Sequence, residues 1–302
     1  MVKHYVRRSA NICKWPQARE AGFAPPVAAA RPADMKQRKP VDNRRSRHQK
    51  QEPHGIALRN ESSGDNRIFG VLPVLEVLRA GSRRVEKVVF AEGVRESRLG
   101  DVMDRCRELS IAWEYAKKDR FPAAKNHQGV YAVVASAEYS EIDAVINARE
   151  PALILVLDGV EDPRNLGAAV RVAECAGANG VIIPERRAAG LTDIVSKSSA
   201  GALEYVKIAR AGNLNRLIED LKAAGIWAVG ASADAEMSYT EWDWRSPSAL
   251  ILGNEGRGLH RLVAENCDVL VKIPMYGKID SLNVSVAAGV ILFEAMRQRR
   301  KE

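Results

Sequence analysis

Three short segments of the sequence concentrate small polar side chains and glycines where apolar runs end. Residues 273–290 place Ser281, Asn283 and Ser285 at the start of a predicted helix. One such side chain is enough to cap a helix. The additional hydroxyl and amide groups, beside free backbone N–H donors, therefore predict a pocket that binds a small molecule.

The second segment, residues 250–259, contains Gly253, Gly256 and Gly258 after a predicted buried strand. Glycines at such a point allow positive φ and a close approach of a ligand to the backbone. A tight loop without a ligand explains them equally well. The spacing matches neither a Walker A loop nor the Gly-x-Gly-x-x-Gly fingerprint. Glu255 in this loop is expected either to receive a cationic partner or to cap the helix that follows.

The third segment carries an amide and a guanidinium on one predicted helix. Asn165 and Arg171 lie six residues apart, and an arginine that begins nearly two turns after Asn165 still reaches the same rim. Arg171 is flanked by apolar residues, which predicts a partner for its charge. An internal salt bridge to Asp158, Glu161 or Asp162 is the alternative to a ligand.

The elements that carry these segments follow an α/β pattern. Strands are predicted at 153–158, 180–184, 205–209, 226–231, 249–253 and 269–274, and helices at 166–176, 214–224 and 282–299. Several strands are near-continuous Val, Ile and Leu runs, which is typical of a parallel sheet covered on both faces. Ligands bind at the carboxyl ends of the strands in such sheets. All three polar segments follow strands.

A smaller α/β unit is predicted ahead of this sheet. It spans residues 67–140, with helices at 68–79 and 96–109 and strands at 85–90 and 129–135. The second helix places Leu99, Val102, Met103, Cys106 and Leu109 on one side. Residues 141–152 are predicted to be a linker, and residues 153–302 the larger domain.

The positive charge of the chain is confined to its first 66 residues. They hold 14 Lys/Arg and 6 Asp/Glu, whereas residues 67–302 hold 32 of each. Residues 1–66 are therefore predicted to be a disordered basic extension, which binds RNA through counterion release or only raises solubility. Its acidic residues argue against an organelle presequence, so a cytoplasmic location is expected.

Other classes of function find little support in the sequence. No apolar run approaches the roughly 20 residues that cross a bilayer, and the four cysteines are too scattered for a metal site or a disulfide framework. His127 precedes a strand and is interpreted as a turn residue or an RNA contact, and His260 as an exposed helix residue. Trp227, Trp242 and Trp244 are interpreted as packing residues.

Taken together, the three segments resemble a known set of motifs. Asn-Leu-Gly-x-x-x-Arg, Gly-Asn-Glu-Gly-x-Gly and Ile-Pro-Met…Ser-Leu-Asn-Val-Ser, between residues 153 and 300, resemble the motifs of the SpoU/TrmH family of RNA ribose 2′-O-methyltransferases, within the SPOUT superfamily. Residues 67–140 resemble the small substrate-binding domain of the subgroup that methylates a guanosine of large-subunit (23S) ribosomal RNA.

The resemblance implies a C-terminal domain with a deep trefoil knot, an S-adenosylmethionine pocket formed by its loops, and a homodimer in which the knotted domains pack together. It implies no metal. The catalytic residues it implies are Asn165, Arg171, Glu255, Ser281 and Asn283. The cofactor-binding residues it implies are Gly253, Ile273 and Leu282 through backbone groups, together with Glu255, Gly258 and Asn283.

The expected function is methyl transfer to a ribose 2′-hydroxyl, with ribosomal RNA preferred over transfer RNA. Arg171 is expected to hold the nucleotide phosphate and stabilise the developing alkoxide, because a guanidinium keeps its proton in proteins and is therefore a poor free base. Proton removal is then shared among Ser281, Asn283 and water. The rival hypothesis is a non-catalytic RNA-binding or ribosome-assembly factor.

Overall fold

A computed structural model describes residues 67–94, 99–121 and 127–300. The predicted basic extension, residues 1–66, lies outside the described residues. Among the residues described, no helix is both long enough and apolar enough to cross a bilayer.

The first domain is a four-stranded sheet covered by two helices. Its elements are β1 (Arg67–Phe69), α1 (Val71–Ala80), β2 (Val85–Ala91), α2 (Gly100–Glu108), β3 (Trp113–Ala116) and β4 (Val130–Val134), with strand order β1-β4-β2-β3. Helix α1 buries Val74 and Leu78 and ends at Gly81, whose φ of 60° suits glycine. Leu109, predicted on the buried face of α2, instead follows that helix and is 42% exposed.

The second domain is built on a seven-stranded sheet in which every pairing is parallel. Its strands are β5 (Leu153–Asp158), β6 (Gly180–Pro184), β7 (Lys207–Ala211), β8 (Trp227–Ala231), β9 (Met237–Ser238), β10 (Ser248–Gly253) and β11 (Val269–Lys272). The strand order is β7-β6-β5-β10-β8-β11-β9. The predicted α/β class with a parallel sheet is confirmed.

The outer strands differ from the predictions. The strand predicted at 205–209 begins at Lys207, because residues 202–204 form a turn of 3₁₀ helix that takes up the preceding apolar residues. Strand β9 was not predicted. It has two residues, too few to show any periodicity.

Helices cover both faces of this sheet. They are α3 (Ile142–Ile146), α4 (Pro163–Cys175), α5 (Asp193–Ser198), α6 (Leu214–Ala223), α7 (Arg261–Asn266) and α8 (Val284–Arg299). Alternate residues of a strand point to opposite faces. Leu155 and Leu157 therefore pack with α4 and α8, whereas Ile154 and Val156 pack with α6 and α7. Both faces are apolar, so the polar loops at the strand ends are left to form a site.

Residues 141–152, predicted as a linker, contain helix α3, which packs onto the sheet through the fully buried Val145. The side-chain amide of Asn179 fixes this segment by donating to the carbonyls of Ile146 (3.2 Å) and Arg149 (2.8 Å). The same side chain accepts from the backbone N–H of Leu153 at 3.1 Å. The segment is thus attached to the start of β5.

Polar contacts join the first domain to the second. The carboxylate of Glu204 accepts from Ser82 Oγ at 2.6 Å and from Arg83 Nε at 2.9 Å. Tyr205 Oη donates to Glu76 at 2.7 Å. The Glu204 side chain is only 1% exposed, and a buried carboxylate is stable only when it is paired in this way. These contacts hold the first domain against the 3₁₀ turn that precedes β7.

Candidate active site

The ends of β5 and β10 bring two of the polar segments together. The two strands pair in parallel, with Gly253 opposite Asp158 at their carboxyl ends. The loop after β10 is then tied to the loop after β5, because Asn254 Nδ2 donates to the carbonyl of Gly159 at 3.0 Å. Sheet pairing therefore sets the distance between segments that lie about ninety residues apart in the sequence.

Glu255 is the acceptor at which all three segments meet. Its Oε1 accepts from Asn165 Nδ2 at 2.7 Å, from Asn283 Nδ2 at 2.5 Å and from the backbone N–H of Val284 at 3.3 Å. Glu255 was expected either to receive a cationic partner or to cap the helix after its loop. It receives neutral amides instead, and it caps α8 rather than α7.

The two asparagines complete this group of three side chains, named here the amide–carboxylate cluster: Asn165, Glu255 and Asn283. Asn283 Nδ2 also donates to Asn165 Oδ1 at 2.9 Å. Asn283 is the N-cap of α8, and its Oδ1 accepts from the N–H and the hydroxyl of Ser285 at 2.9 Å and 2.6 Å. Each of the three side chains is hydrogen-bonded to the other two, so the cluster forms without a ligand.

Arg171 and Ser281 lie outside the amide–carboxylate cluster. The alternative considered for Arg171, an internal salt bridge to Asp158, Glu161 or Asp162, is not formed among the described residues. Helix α4 buries Leu166, Ala169 and Val170, and the 100° step per residue turns Arg171 towards solvent. Arg171 is exposed and, within the described part of the chain, forms no hydrogen bond or ion pair. Ser281 is also exposed, two residues before the N-cap of α8.

Asp158, one of the three acids considered as a partner for Arg171, binds His260 instead. Asp158 is buried, and its two oxygens meet the backbone N–H of His260 at 2.8 Å and His260 Nδ1 at 2.9 Å. His260 was predicted to be an exposed helix residue. It stands at the N-cap position of α7, with a side chain 48% exposed. A carboxylate at a strand end was the only signal of this pair in the sequence.

The glycines after β10 are explained by the loop itself. A Cβ on Gly253 would lie 2.0 Å from the backbone carbon of Gly258 and 2.3 Å from the backbone nitrogen of Leu259. Asn254 and Gly258 exchange backbone hydrogen bonds of 3.1 Å and 2.7 Å, and Gly258 has a φ of 66°. Gly253 thus lets the loop fold back on the strand end, and Gly258 supplies the left-handed backbone.

Comparison with known proteins identifies the relatives of this arrangement. The model of the SpoU rRNA Methylase family matches residues 152–293, and the model described as RNA 2′-O ribose methyltransferase substrate binding matches residues 67–140. The putative TrmH family tRNA/rRNA methyltransferase YacO of Bacillus subtilis is 41% identical, over 77% of this chain and 95% of that protein. The chain belongs to the SpoU/TrmH family of RNA 2′-O-methyltransferases.

A second relative and two solved structures agree with this assignment. The 23S rRNA (guanosine-2′-O-)-methyltransferase RlmB of Pseudomonas putida is 41% identical, over 78% of this chain and 97% of that protein. The SpoU methyltransferase AviRb of Streptomyces viridochromogenes, in complex with AdoMet, has a TM-score of 0.66 at 28% identity, covering 77% of this chain and 90% of that chain. The AdoMet-bound rRNA methyltransferase of Sinorhizobium meliloti has a TM-score of 0.65 at 27% identity, covering 78% and 88%.

The protein is therefore an RNA 2′-O-methyltransferase with S-adenosylmethionine as its cofactor, as predicted, and RNA is its partner. The SPOUT fold expected from the motifs is likewise confirmed. The loop between β11 and α8 suits such a ligand. Within the described chain, the backbone groups of residues 275–282 take part in no backbone–backbone hydrogen bond. Their donors and acceptors are open, while the half-buried Ile273 and Leu282 offer apolar surface beside them.

His127 and Trp244, which the sequence did not favour as site residues, have structural roles. His127 accepts from the N–H of Gly129 at 2.9 Å and stacks on Phe121 with ring centroids 4.7 Å apart, as a turn residue does. Trp244 is fully buried and donates to the carbonyl of Tyr239 at 2.8 Å. Across the described ranges, no three His, Cys, Asp or Glu side chains are grouped to hold a metal ion.

Proposed function

We propose that this protein methylates the ribose 2′-hydroxyl of a guanosine in large-subunit (23S) ribosomal RNA. The observation that carries the proposal is the first domain. It matches a substrate-binding family model over residues 67–140, and the relative from Pseudomonas putida, named for the guanosine of 23S rRNA, is covered over 97% of its length. An enzyme that required only the catalytic domain would not need this second sheet.

The cofactor is held, in this proposal, by the loops at the carboxyl edge of the second sheet. Backbone groups at Gly253, Ile273 and Leu282 contact its adenosine part, and Gly258 and Glu255 keep the intervening loop in shape. The cofactor supplies a methyl group activated by the adjacent sulfonium. The chain supplies position, and holding two reactants in line is worth as much as about 7–11 kcal/mol of a barrier.

Asn165, Glu255 and Asn283 form the rim that receives the ribose. Because the amides and the carboxylate already bind one another, the rim costs little reorganisation when the substrate arrives, which is the condition for electrostatic preorganisation. Glu255 also fixes the first turn of α8, so the rim and the cofactor loop are held by one side chain.

Arg171 supplies the positive charge of the site. Its guanidinium holds the phosphate of the target nucleotide and stabilises the alkoxide that develops as the 2′-hydroxyl loses its proton. Among the described residues Arg171 has no hydrogen-bond or ion-pair partner, which supports this role, because a guanidinium engaged in a salt bridge would be unavailable to a phosphate. The proton passes to water, with the exposed hydroxyl of Ser281 and the amide oxygen of Asn283 as neighbouring acceptors.

The proposed homodimer is supported by an apolar face on α8. Val286 and Phe293 lie seven residues apart on its outer side and are 50% and 51% exposed. Val172 of α4 lies near Gly289 of α8, where an added Cβ would be 3.8 Å from Val172 Cγ1. Large exposed apolar side chains in a stripe mark interaction surfaces. Arg171 adjoins this face, so a dimer formed there places a guanidinium of each protomer at the interface.

Sedimentation of the purified protein tests the dimer directly. Phe293→Asp should yield a monomer, and Phe121→Leu, a change inside the first domain, should leave the dimer intact. Mixing Arg171→Ala with Asn165→Ala protomers then tests whether one site uses two chains. Recovery of activity in the mixed dimer requires a shared site, and its absence places both residues in one protomer.

The substrate is tested by methyl transfer to purified 23S rRNA and to bulk tRNA, with the modified ribose located by mass spectrometry. We expect one modified guanosine in 23S rRNA. Methylation of tRNA alone would refute the substrate and leave the reaction intact. Two relatives are named as tRNA/rRNA methyltransferases, so tRNA is the second candidate substrate. We place the reaction in the cytoplasm, which the free thiols of Cys106 and Cys267 support.

A further inference from the structure

A basic groove lies one strand away from the amide–carboxylate cluster. Strand β5 has β10 on one side and β6 on the other, and all three run in the same direction. The loop after β10 carries Glu255. The loop after β6 carries Arg186 and Arg187, so both loops open at the same edge of the sheet.

The groove is a cavity of about 470 Å³ between the loop after β6 and the start of α7. Its lining includes Arg186 and Arg187 of the loop after β6, His260 and Arg261 at the start of α7, and the apolar Leu214 and Val263. All three arginines are exposed. The groove therefore presents three guanidinium groups to solvent beside the catalytic edge.

Two of the three arginines in the groove have no partner among residues 67–94, 99–121 and 127–300. Within the described part of the chain, Arg186 and Arg187 form no hydrogen bond or ion pair. Arg261 binds Glu265 at 2.7 Å, but both side chains are more than half exposed, and such pairs are weak and readily exchanged. Asp158 is buried and engaged by His260.

The neighbouring acid of the same loop is not among the residues that line the groove. Glu185 is exposed, and its carboxylate lies beside Gly212, at the end of β7, where a Cβ would be 3.7 Å from Oε2. The lining of the groove holds three arginines and one acid, Asp158, so the lining carries a net positive charge.

The loop that carries the two arginines is fixed in place. Arg187 has a φ of 57°, a left-handed conformation that non-glycine residues adopt only when the surroundings impose it. Two residues later, the backbone N–H of Ala189 donates to the carbonyl of Val160 at 3.0 Å. Val160 belongs to the loop that leads into α4 and Asn165. The arginines are thus held at a set position relative to the rim.

We propose that this groove binds the phosphate backbone of the RNA strand next to the target ribose. The proposal rests on the proposed function, because it assumes an RNA strand that presents a ribose at the rim. Guanidinium groups bind phosphate oxygens bidentately. A row of them beside the site would fix the register of the strand without reading its bases.

The test compares two variants of the full chain that lose the same charge. Arg186→Gln with Arg187→Gln removes the two arginines of the groove that have no partner in the described part of the chain. Arg245→Gln with Arg297→Gln removes two other exposed arginines, whose side chains are 72% and 71% exposed. Unlike the groove arginines, they are paired with acids, Asp243 and Glu294. Residues 1–66 are present in every protein, so their charge contributes equally to each measurement.

Binding is measured by fluorescence anisotropy with a labelled 12-nucleotide single-stranded RNA and with a 23S rRNA transcript, across a series of salt concentrations. The groove variant should bind roughly tenfold more weakly, and its salt slope should fall by about 1.4, because each lost phosphate contact on a single strand removes about 0.7. The control variant should match the parent. In turnover, the groove variant should show a raised KM and an unchanged kcat.

Equal affinity and equal salt slope in the two variants would overturn the proposal. The result is separable from the choice of substrate: a parent protein that methylates tRNA and not 23S rRNA refutes the proposed substrate, while the anisotropy difference still reports on the groove. Phenylglyoxal modification of the unaltered protein gives a second test, which does not depend on the folding of any variant. Bound 12-nucleotide RNA should protect the peptide with Arg186 and Arg187, and failure to protect it also counts against the groove.

Discussion

Replacement of Gly253 by alanine tests whether the loop after β10 must fold back onto the strand end. A Cβ at this position would lie 2.0 Å and 2.1 Å from the backbone carbon and oxygen of Gly258. These atoms belong to the backbone, so no rotamer change relieves the clash. The backbone at Gly258 would have to move by about 1.5 Å to reach an ordinary contact distance.

The displaced loop also carries Glu255, whose hydrogen bonds to Asn165 and Asn283 are 2.7 Å and 2.5 Å long. A movement of about 1 Å breaks such contacts, and misplacement by that amount costs on the order of 10²-fold in rate. Overpacking costs about 1–3 kcal/mol of stability. For a chain of this size the expected fall in Tm is roughly 2–12 °C. Gly253→Ala should therefore lose both affinity for S-adenosylmethionine and methyl transfer.

The same loop provides matched controls. A Cβ on Gly256 would meet only Asn254 Oδ1 at 3.7 Å, an ordinary contact, so Gly256→Ala should bind the cofactor normally. Gly258 has open space but a φ of 66°, so Gly258→Ala should be intermediate, at about 1 kcal/mol. Calorimetric titration with S-adenosylmethionine and a thermal melt would rank the three. If Gly253→Ala behaved like Gly256→Ala, the steric explanation would be wrong.

Three further predictions address other parts of the molecule. Arg171→Ala should lower kcat by about 10²–10³-fold without changing the calorimetric affinity for the cofactor, and normal turnover would exclude the proposed role. Glu204→Ala leaves Arg83 without its carboxylate and should lower the free energy of unfolding by about 3–5 kcal/mol in urea denaturation, against about 0–1 kcal/mol for an exposed pair; a loss of less than 1 kcal/mol would contradict a buried ion pair. Burial raises the pKa of Cys267 to about 12, and the reactive thiolate forms only as pH rises towards that value. Iodoacetamide at pH 8 should therefore label the exposed Cys175 before Cys267, as peptide mass spectrometry would show, and equal labelling of the two would contradict the burial of Cys267.

The amide–carboxylate cluster gives a physical reason why the three short motifs occur together in this chain, since one residue of each is hydrogen-bonded to the others. Glu255 is bonded to residues 90 and 28 positions away, and removing it would release the rim and the first turn of α8 at the same time. Asn283 serves both as helix cap and as rim residue. A substitution at either position therefore alters structure and chemistry together, so cofactor affinity has to be measured beside turnover.

The sequence by itself determined the architecture of the catalytic sheet and the residues to inspect. Strands 153–158 and 180–184 form as predicted, because a buried parallel strand requires a continuous apolar run and few other segments tolerate one. The polar segments follow strands for an equally local reason, since backbone groups at a strand end must find polar partners or water. The motifs then indicated the family, and with it the cofactor.

Only the tertiary structure decided which of these side chains touch. From the sequence, Asp158 was one possible partner for Arg171. In the structure Asp158 binds His260, and Arg171 faces solvent. For Glu255 the sequence left open a cationic partner or a capping role on the next helix. In the structure Glu255 accepts from the side chains of Asn165 and Asn283 and from the first turn of α8. Such contacts depend on strand order and helix rotation, which bring together residues 28–118 positions apart. Periodicity records which face of an element is buried, but not which distant element covers it.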